Sequence, residues 1–387
     1  MTTFTTEQKM LRDTVRKLMA THAGRDYVRA KDKAKAYPYE LYDEWVKAGL
    51  LGVCFPEQYG GSGGGAVELA ICVEEIAYTS ADFQMCYGGS MFCGVTLMTK
   101  GSEAQRAHWL PKIVNGERRL SISMSEPEAG SDFGAIRTRG ERAEFDKGGS
   151  GYVINGQKLW NTGAGARDNT MLVYLKTDGR AHYRKGISLF LVDNDNPGVK
   201  LNKLDMLGRH CAGTYEVFFT DAKVGADRLV GEENKGWDCV LSGLQIERVV
   251  SSAGNCGSAQ GVVDMAAAWA KERKQFGKPI GSNQAIAHMI ADMQTEVAAA
   301  KALTYQAAFK VAAGEDALAE ITMAKLFSSE TYVKVANMGM QIMGGYGYSM
   351  EFDMQRHYRD CRSSTIAAGS SQMQRNLIAG LMGLKVQ

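Results

Sequence analysis

The stretch that decides the fold begins with Gln245-Ile246-Glu247-Arg248-Val249-Val250 and ends with Lys271-Glu272-Arg273-Lys274-Gln275-Phe276-Gly277-Lys278. Between these ends the residues are mostly small or apolar, as from Ala253 to Trp269. Read as a helix up to Glu272, the stretch forms a rod of about 40 Å, at about 1.5 Å per residue. It carries a carboxylate beside a guanidinium near its start, and a basic cluster with an aromatic ring at its end.

The carboxylate of Glu247 is unusual because it lies in an otherwise apolar run. Burying a carboxylate is costly unless the group is paired or protonated, so a buried one usually has a function. The pair Glu247-Arg248 is equally compatible with a solvated helix face. Adjacent helical residues point about 100° apart, so one of the two side chains is expected to face inward.

The composition is that of a soluble globular protein. A chain of 387 residues predicts two or three domains. The net charge of +2 argues against a nucleic-acid or anionic membrane surface. No apolar run reaches the roughly 18 residues of a membrane span, and the N-terminus lacks a signal-type apolar core, so a cytoplasmic location is expected. The eight cysteines and six histidines show no ligand spacing, and no metal is expected.

The period of the apolar residues changes twice along the chain. Residues 6–116 show helical spacing, with Thr6 as a candidate N-cap and further helices near 39–48, 91–99 and 103–114. The glycine run 60–65 is interpreted as a flexible connection, since a phosphate loop would need a preceding strand and a following Gly-Lys-Ser/Thr.

From Arg119 the period becomes 2, and five short β-rich segments are separated by turn signals without intervening helices. This pattern predicts an antiparallel barrel or sandwich. Helical spacing returns after about Gly231, in segments 234–272, 283–313, 315–343 and 371–382. The sequence therefore predicts an all-α domain at 1–118, a β-barrel at 119–231 and a four-helix bundle at 232–387. Helices that are apolar on several sides suggest contact with other subunits.

Three motifs could carry chemistry, and each has a plain structural interpretation. The segment Ser123–Asp132 is either a turn or a source of N–H groups and hydroxyls for a flat polar ring. Trp160, within the segment 155–163, is either a core residue or a stacking wall. The glycines in 341–348 end a helix.

Together and in this order, these motifs resemble those of the acyl-CoA dehydrogenase family of flavoenzymes. The resemblance covers the whole chain. Its motifs are Thr6-Glu7-Gln8, Glu126-Pro-Glu-Ala-Gly-Ser-Asp132, Asn155-Gly-Gln-Lys-x-Trp160, Arg273-Lys-Gln-Phe-Gly277, Gln341-x-x-Gly344-Gly345 and Tyr358-Arg359-Asp360.

The resemblance implies FAD held between the barrel and the bundle of a homotetramer built as a pair of dimers. Positions lining the flavin or the neighbouring thioester correspond to Met124, Ser125, Ser131, Trp160 and Thr162. Positions binding the FAD of the adjacent subunit correspond to Arg273, Gln275, Phe276, Gln341, Gly344 and Gly345. Ser370 and Gln372 match a further FAD contact, and Arg248 and Ala368 are expected at the substrate.

One departure from the family decides the mechanism. The family's commonest base is the glutamate of a Tyr-Glu-Gly-Thr stretch, but Ala367-Ala368-Gly369-Ser370 stands there. In the isovaleryl-CoA and long-chain branches the base lies on the first helix of the bundle, and Glu247 matches that position. The resemblance implies that Glu247 removes the α-proton while the β-hydride passes to flavin N5. The N–H of Ala368 remains available to polarise the thioester carbonyl.

The expected activity is therefore FAD-dependent oxidation of an acyl-CoA to the trans-2-enoyl-CoA, with electron-transfer flavoprotein as the acceptor. Because Ala367 and Ala368 leave space, a branched, cyclic or aromatic acyl group is expected. The absence of arginine between Ser80 and Ser90 disfavours a glutaryl group. Two alternatives stay open: an enoyl-CoA reductase of the same fold, which related carnitine-pathway proteins suggest, and a catalytically silent flavin-binding or scaffold protein.

Overall fold

The computed structural model describes residues 3–145, 149–179, 181 and 185–385. Helices precede and follow a central sheet, which confirms the predicted fold class of helical, β and helical parts in that order. The predicted start of the first domain, residue 1, and the predicted end of the last domain, residue 387, lie outside the described residues.

The first part consists of helices packed around an apolar core. They are α1 (Thr6–His22), α2 (Arg25–Ala34), α3 (Tyr39–Lys47), α4 (Ala66–Thr79), α5 (Ala81–Lys100) and α6 (Glu103–Val114). The N-cap of α1 is Thr5, one residue before the predicted Thr6, and it forms a capping box with Gln8. The apolar pattern does not predict α2, whose sequence is strongly polar, and α5 begins ten residues before the predicted segment.

The glycine run before α4 is a tightly packed turn rather than a flexible connection. A Cβ on Gly61 would overlap the carbonyl oxygen of Phe55, and one on Gly64 would lie 2.5 Å from the carbonyl oxygen of Val53. The glycines are therefore required because two backbone segments approach closely here.

The middle part is one sheet with strand order β6-β7-β3-β2-β4-β5-β8, and β1 lies beside β4. The strands are β1 (Arg119–Ser123), β2 (Arg139–Glu144), β3 (Ser150–Thr162), β4 (Asn169–Lys176), β5 (Ile187–Asp193), β6 (Val199–Leu204), β7 (Thr214–Gly225) and β8 (Leu229–Val230). Most neighbours pair antiparallel, as predicted, but β1 and β2 each pair with β4 in parallel. An irregularity between Lys158 and Asn161 in β3 places Trp160 in left-handed backbone, with φ +65°.

The last part is organised by one 37-residue helix, α7 (Gly236–Glu272), about 55 Å long. It is followed by β9 (Lys274–Gln275), β10 (Lys278–Pro279), α8 (Gln284–Ala312), α9 (Leu318–Met343), α10 (Gly345–Tyr348), α11 (Met354–Cys361) and α12 (Ser371–Leu381). The three long helices begin and end within three residues of their predicted bounds. Because α7 packs against α4 and α5 as well as α8 and α9, its apolar residues are covered within the chain on several sides.

Small residues allow α7 to approach the first part closely. A Cβ on Gly254 would lie 2.8 Å from Gln84, and one on Gly88 would lie 2.9 Å from Val250. Val249 and Val250 belong to the same apolar cluster as residues of α5 and of the sheet. The turn of α7 that carries Glu247 therefore lies where all three parts of the chain meet.

Candidate active site

Glu247 and Arg248 are both withdrawn from solvent, although they lie about 100° apart around α7. Glu247 is partly buried and Arg248 is buried. Burial raises the pKa of Glu247 to about 7, while the positive charges of Arg248 and Lys325 act in the opposite direction. Burial likewise lowers the pKa of Arg248, against the opposing charge of Glu247. A carboxyl group with this pKa exchanges a proton readily near neutral pH.

Two further groups identify the surroundings of Glu247. Cys93 lies on α5 and Tyr174 on β4, and both are fully buried. Burial raises the pKa of each well above its usual value, and the negative charge of Glu247 adds to the effect. Glu247 thus faces the helices of the first part and the sheet at the same time.

Lys325 is a member of this site that the sequence analysis missed. It lies on α9 and is fully buried. Its Nζ donates hydrogen bonds to the carbonyl oxygens of Ser364, at 3.1 Å, and Gly369, at 2.6 Å. A signal was present, because Lys325 continues the buried helical spacing of Ile321, Ser328 and Tyr332 on α9.

The segment that carries Ala368 is fixed by side chains from two other helices. Gln374 on α12 donates to the carbonyl oxygens of Ala368, at 3.3 Å, and Gly369, at 3.0 Å. Arg248 Nε lies 3.5 Å from the Ala368 carbonyl oxygen. Ala368 has φ +55°, a left-handed conformation that is strained for alanine. Its N–H has no acceptor within the described parts of the chain, so it is available to a carbonyl oxygen of a bound molecule.

The loop after β1 is held by a buried ion pair that the sequence analysis also missed. Lys158 Nζ lies 2.8 Å from a carboxylate oxygen of Glu126 and 2.9 Å from the carbonyl oxygen of Met124. Burial lowers the pKa of Lys158 to about 8, against the charge of Glu126. Burial alone would raise the pKa of Glu126, but Lys158 and the N–H of Arg137 hold it below its usual value. Lys158 occupies an inward position in the alternation of β3, which was the available signal.

The predicted flavin residues of this region lie at the ends of β1 and β3. The carbonyl oxygen of Ser125 accepts the N–H of Leu159 at 2.8 Å, and Ser131 is exposed on the same loop. The indole of Trp160 is 57% exposed, and Thr162 is half-buried two residues further on. Trp160 is therefore not a core residue.

A flat polar ring fits the residues at these strand ends. The exposed indole of Trp160 offers a stacking face. On β1, which contacts β3, Ser123 Oγ is buried and has no hydrogen-bond partner among the residues described. A buried hydroxyl of this kind usually has a partner, and a bound group could supply it. The residues present thus suit a flavin.

A second group of predicted residues lies far from Glu247, at the other end of α7. Arg273 is 26 residues further along, which corresponds to about 39 Å of helix. A cavity of about 560 Å³ is lined here by Arg273, Gln275, Gly344 and Gly345, together with Trp269 and Tyr346. The Arg273 guanidinium lies 5.1 Å from the centre of the Tyr346 ring. Gln341 is exposed nearby, and the side chain of Phe276 is 99% exposed.

A third group lines another cavity, of about 480 Å³, between α9 and α12. Ser370 and Gln372 lie on its wall with Lys334 and Arg362. Ser370 Oγ also accepts the N–H of Met373 and so caps α12. The single chain thus presents the expected cofactor residues at three separate places.

Neither a metal centre nor a membrane-spanning helix is found in the described ranges. No group of three or more His, Cys, Asp or Glu residues there is arranged to hold a metal ion. No helix in the same ranges is long and apolar enough to cross a membrane.

Comparisons with known proteins give consistent matches along the chain. Family models for the acyl-CoA dehydrogenase N-terminal, middle and C-terminal domains match residues 5–117, 121–222 and 234–382. The Caffeyl-CoA reductase-Etf complex subunit CarC of Acetobacterium woodii is 36% identical over 98% of this chain and 99% of that protein. The mitochondrial isovaleryl-CoA dehydrogenase of Pongo abelii is 36% identical over 96% and 88%. The structure of glutaryl-coenzyme A dehydrogenase with glutaryl-CoA has a TM-score of 0.93 and 32% identity, over 100% of this chain and 97% of that chain.

Proposed function

The chain belongs to the acyl-CoA dehydrogenase family of flavoenzymes, and on this premise we propose that it oxidises an acyl-CoA thioester to the trans-2-enoyl-CoA with Glu247 as the base. The observation that carries the proposal is the partly buried carboxyl group of Glu247, with a pKa of about 7, at the junction of the three parts of the chain. Position 368, where most of the family has its base, holds an alanine.

The reaction requires removal of a proton from Cα and of a hydride from Cβ. FAD, when bound, accepts the hydride. Glu247 takes the α-proton, and a base with a pKa near the working pH is best matched to that task. The α-proton is more acidic when the thioester carbonyl is polarised. The N–H of Ala368 can polarise it, because hydrogen bonds hold its segment in place and the N–H has no acceptor in the described residues.

The expected FAD site combines residues of two subunits. Met124, Ser125, Ser131, Trp160 and Thr162 would hold the isoalloxazine end beside the substrate. Around the cavity at the end of α7, Arg273, Gln275, Phe276, Gln341, Gly344 and Gly345 would bind the FAD of the adjacent subunit, and Ser370 and Gln372 a further part of it. An arginine fork suits a diphosphate because it can bond two oxygens at once. The distance of about 39 Å along α7 between Glu247 and Arg273 supports a site shared across a homotetramer.

A reductase is the second candidate function, and a specific observation favours it. The similar protein from Acetobacterium woodii is named as a subunit of a caffeyl-CoA reductase-Etf complex. In that direction protonated Glu247 would deliver a proton to Cα, because the same group serves both directions of one reaction. A pKa of about 7 leaves both forms of Glu247 populated near neutral pH.

The same comparison supports electron-transfer flavoprotein as the redox partner. For the substrate, we propose a branched, cyclic or aromatic acyl group. Ala367 and Ala368 leave space beside the thioester where the family's commonest pattern has tyrosine and glutamate, and the similar isovaleryl-CoA dehydrogenase is named for a branched substrate.

The proposal is tested with Glu247→Gln and a panel of acyl-CoA thioesters mixed anaerobically with the flavoprotein. We expect flavin bleaching to slow by roughly 10²- to 10⁴-fold, the usual contribution of a general base, with FAD content unchanged. Glu315→Gln, at an exposed position after α8, is the matched control and keeps the wild-type rate. Bleaching by Glu247→Gln at the wild-type rate would refute the assignment. Titration with saturated and enoyl thioesters separates the two directions.

A further inference from the structure

Lys325 is a fully buried lysine at the junction of α7, α9 and the segment 364–369. Lysine is rarely fully buried unless its charge has a partner. Two of its three N–H groups donate to the carbonyl oxygens of Ser364 and Gly369. The side chain thus joins both ends of the segment that carries Ala368.

The charge of Lys325 also acts on Glu247. No ion pair joins the two side chains among the described residues, so their charges interact at a distance rather than by contact. This arrangement favours the ionised carboxylate and still leaves its oxygens free to accept a proton. A direct ion pair would make Glu247 a weaker base.

We infer that Lys325 is a positioning residue for α-proton transfer: its hydrogen bonds hold the Ala368 N–H in place, and its charge favours the ionised form of Glu247. This inference rests on the proposed function. The left-handed backbone of Ala368 supports it, because a strained conformation persists only where surrounding contacts fix it. Lys325 and Gln374 both donate to the carbonyl oxygen of Gly369, the residue directly after Ala368.

Other charged and titratable groups act on this pair from several elements of the fold. Lys325 interacts with Arg248 on α7, Arg209 before β7 and Glu330 on α9, as well as with Glu247. Burial first, and Arg248 second, lower the pKa of Lys325 to about 8. Around Glu247 the neighbours are Arg248, Cys93 on α5 and Tyr174 on β4.

The pKa values of the two groups define the pH range in which both are charged. Glu247 is ionised above about pH 7, and Lys325 keeps its charge below about pH 8. On the acidic limb of the pH–rate profile Lys325 is therefore charged. Removing this charge would raise the pKa of Glu247. If Lys325 only filled space, replacing it would not shift the acidic limb.

The test measures α-proton exchange with D₂O, which needs the base but no hydride transfer. The probes are (phenylthio)acetyl-CoA and (isopropylthio)acetyl-CoA, whose β-atom is sulfur and carries no hydrogen. Exchange is followed by mass spectrometry as a function of pH in the FAD-loaded wild type and in Lys325→Gln, Lys325→Met and Lys325→Arg. Glutamine keeps a donor to the carbonyls without the charge, and arginine keeps the charge.

We expect the acidic limb of Lys325→Gln and Lys325→Met to move to higher pH by roughly one unit, the effect of losing a nearby opposite charge. Lys325→Arg should keep the wild-type limb. An unmoved limb in Lys325→Gln would overturn the inference, even if Lys325→Met fails to fold. Glu247→Gln is measured in parallel. If Glu247→Gln loses exchange, the assignment of Glu247 as the base stands, whatever the lysine variants do. If Glu247→Gln still exchanges the α-proton, that assignment is refuted.

Discussion

Replacing Glu247 by glutamine should stabilise the protein while it slows proton abstraction. The substitution keeps the size of the side chain and removes a carboxyl group that is unfavourable to ionise in the folded state. The usual pKa of 4.5 is raised to about 7 by burial. In the unfolded chain Glu247 is ionised at any pH above its usual pKa. At such a pH, folding must protonate the carboxylate or bury its charge, and either change lowers the stability of the folded state.

The expected gain in stability follows from the size of the pKa shift of Glu247. Each pKa unit corresponds to about 1.4 kcal/mol, so the raised pKa of Glu247 is equivalent to about 3 kcal/mol of lost stability. Glu247 keeps some exposed surface, and water screens part of this effect. We therefore expect a gain of about 1 to 3 kcal/mol for Glu247→Gln. The penalty is absent below the unfolded pKa, develops between about pH 4.5 and 7, and is complete above the folded pKa.

The assay is thermal unfolding of the FAD-loaded protein at pH 5 and pH 8. Glu247→Gln should unfold a few degrees above the wild type at pH 8, with a much smaller difference at pH 5. The exposed Glu315→Gln controls for the change in net charge and should match the wild type at both pH values. A variant no more stable than the wild type at pH 8, or a gain of equal size at both pH values, would refute burial as the cause of the shift.

Two other predictions concern the framework of the site. Lys158→Met leaves the buried carboxylate of Glu126 without its cation, and we expect it to cost about 3 to 5 kcal/mol and weaken FAD retention; unchanged unfolding and FAD content would contradict this. Gly61→Ala should lower the thermal midpoint by several degrees, because its Cβ would overlap the Phe55 carbonyl oxygen. The control Gly380→Ala, on α12 with open space around it, should be neutral or slightly stabilising; equal midpoints for the two variants would argue against the close packing at Gly61.

The order of helical and β regions could be predicted because it depends on local spacing. The apolar period of each long helix is a property of consecutive residues, and α7 ends at the predicted Glu272. The pairing of β1 and β2 with β4 could not be predicted in this way, because strands distant in sequence determine it. The polar helix α2 lacks the apolar spacing from which a helix is predicted.

The candidate site shows the same division. The sequence determined that Glu247 stands in an apolar run and that Ala368 cannot act as a base. Whether Glu247 or Arg248 would be buried was decided only by the packing of α4, α5 and α9 on α7, which withdraws both from solvent. Lys325 and Lys158 are paired with backbone carbonyls and, for Lys158, with Glu126, and these partners come from other elements of the fold. The identity of each side chain is local information, but its pKa depends on burial and neighbouring charges that only the assembled fold provides.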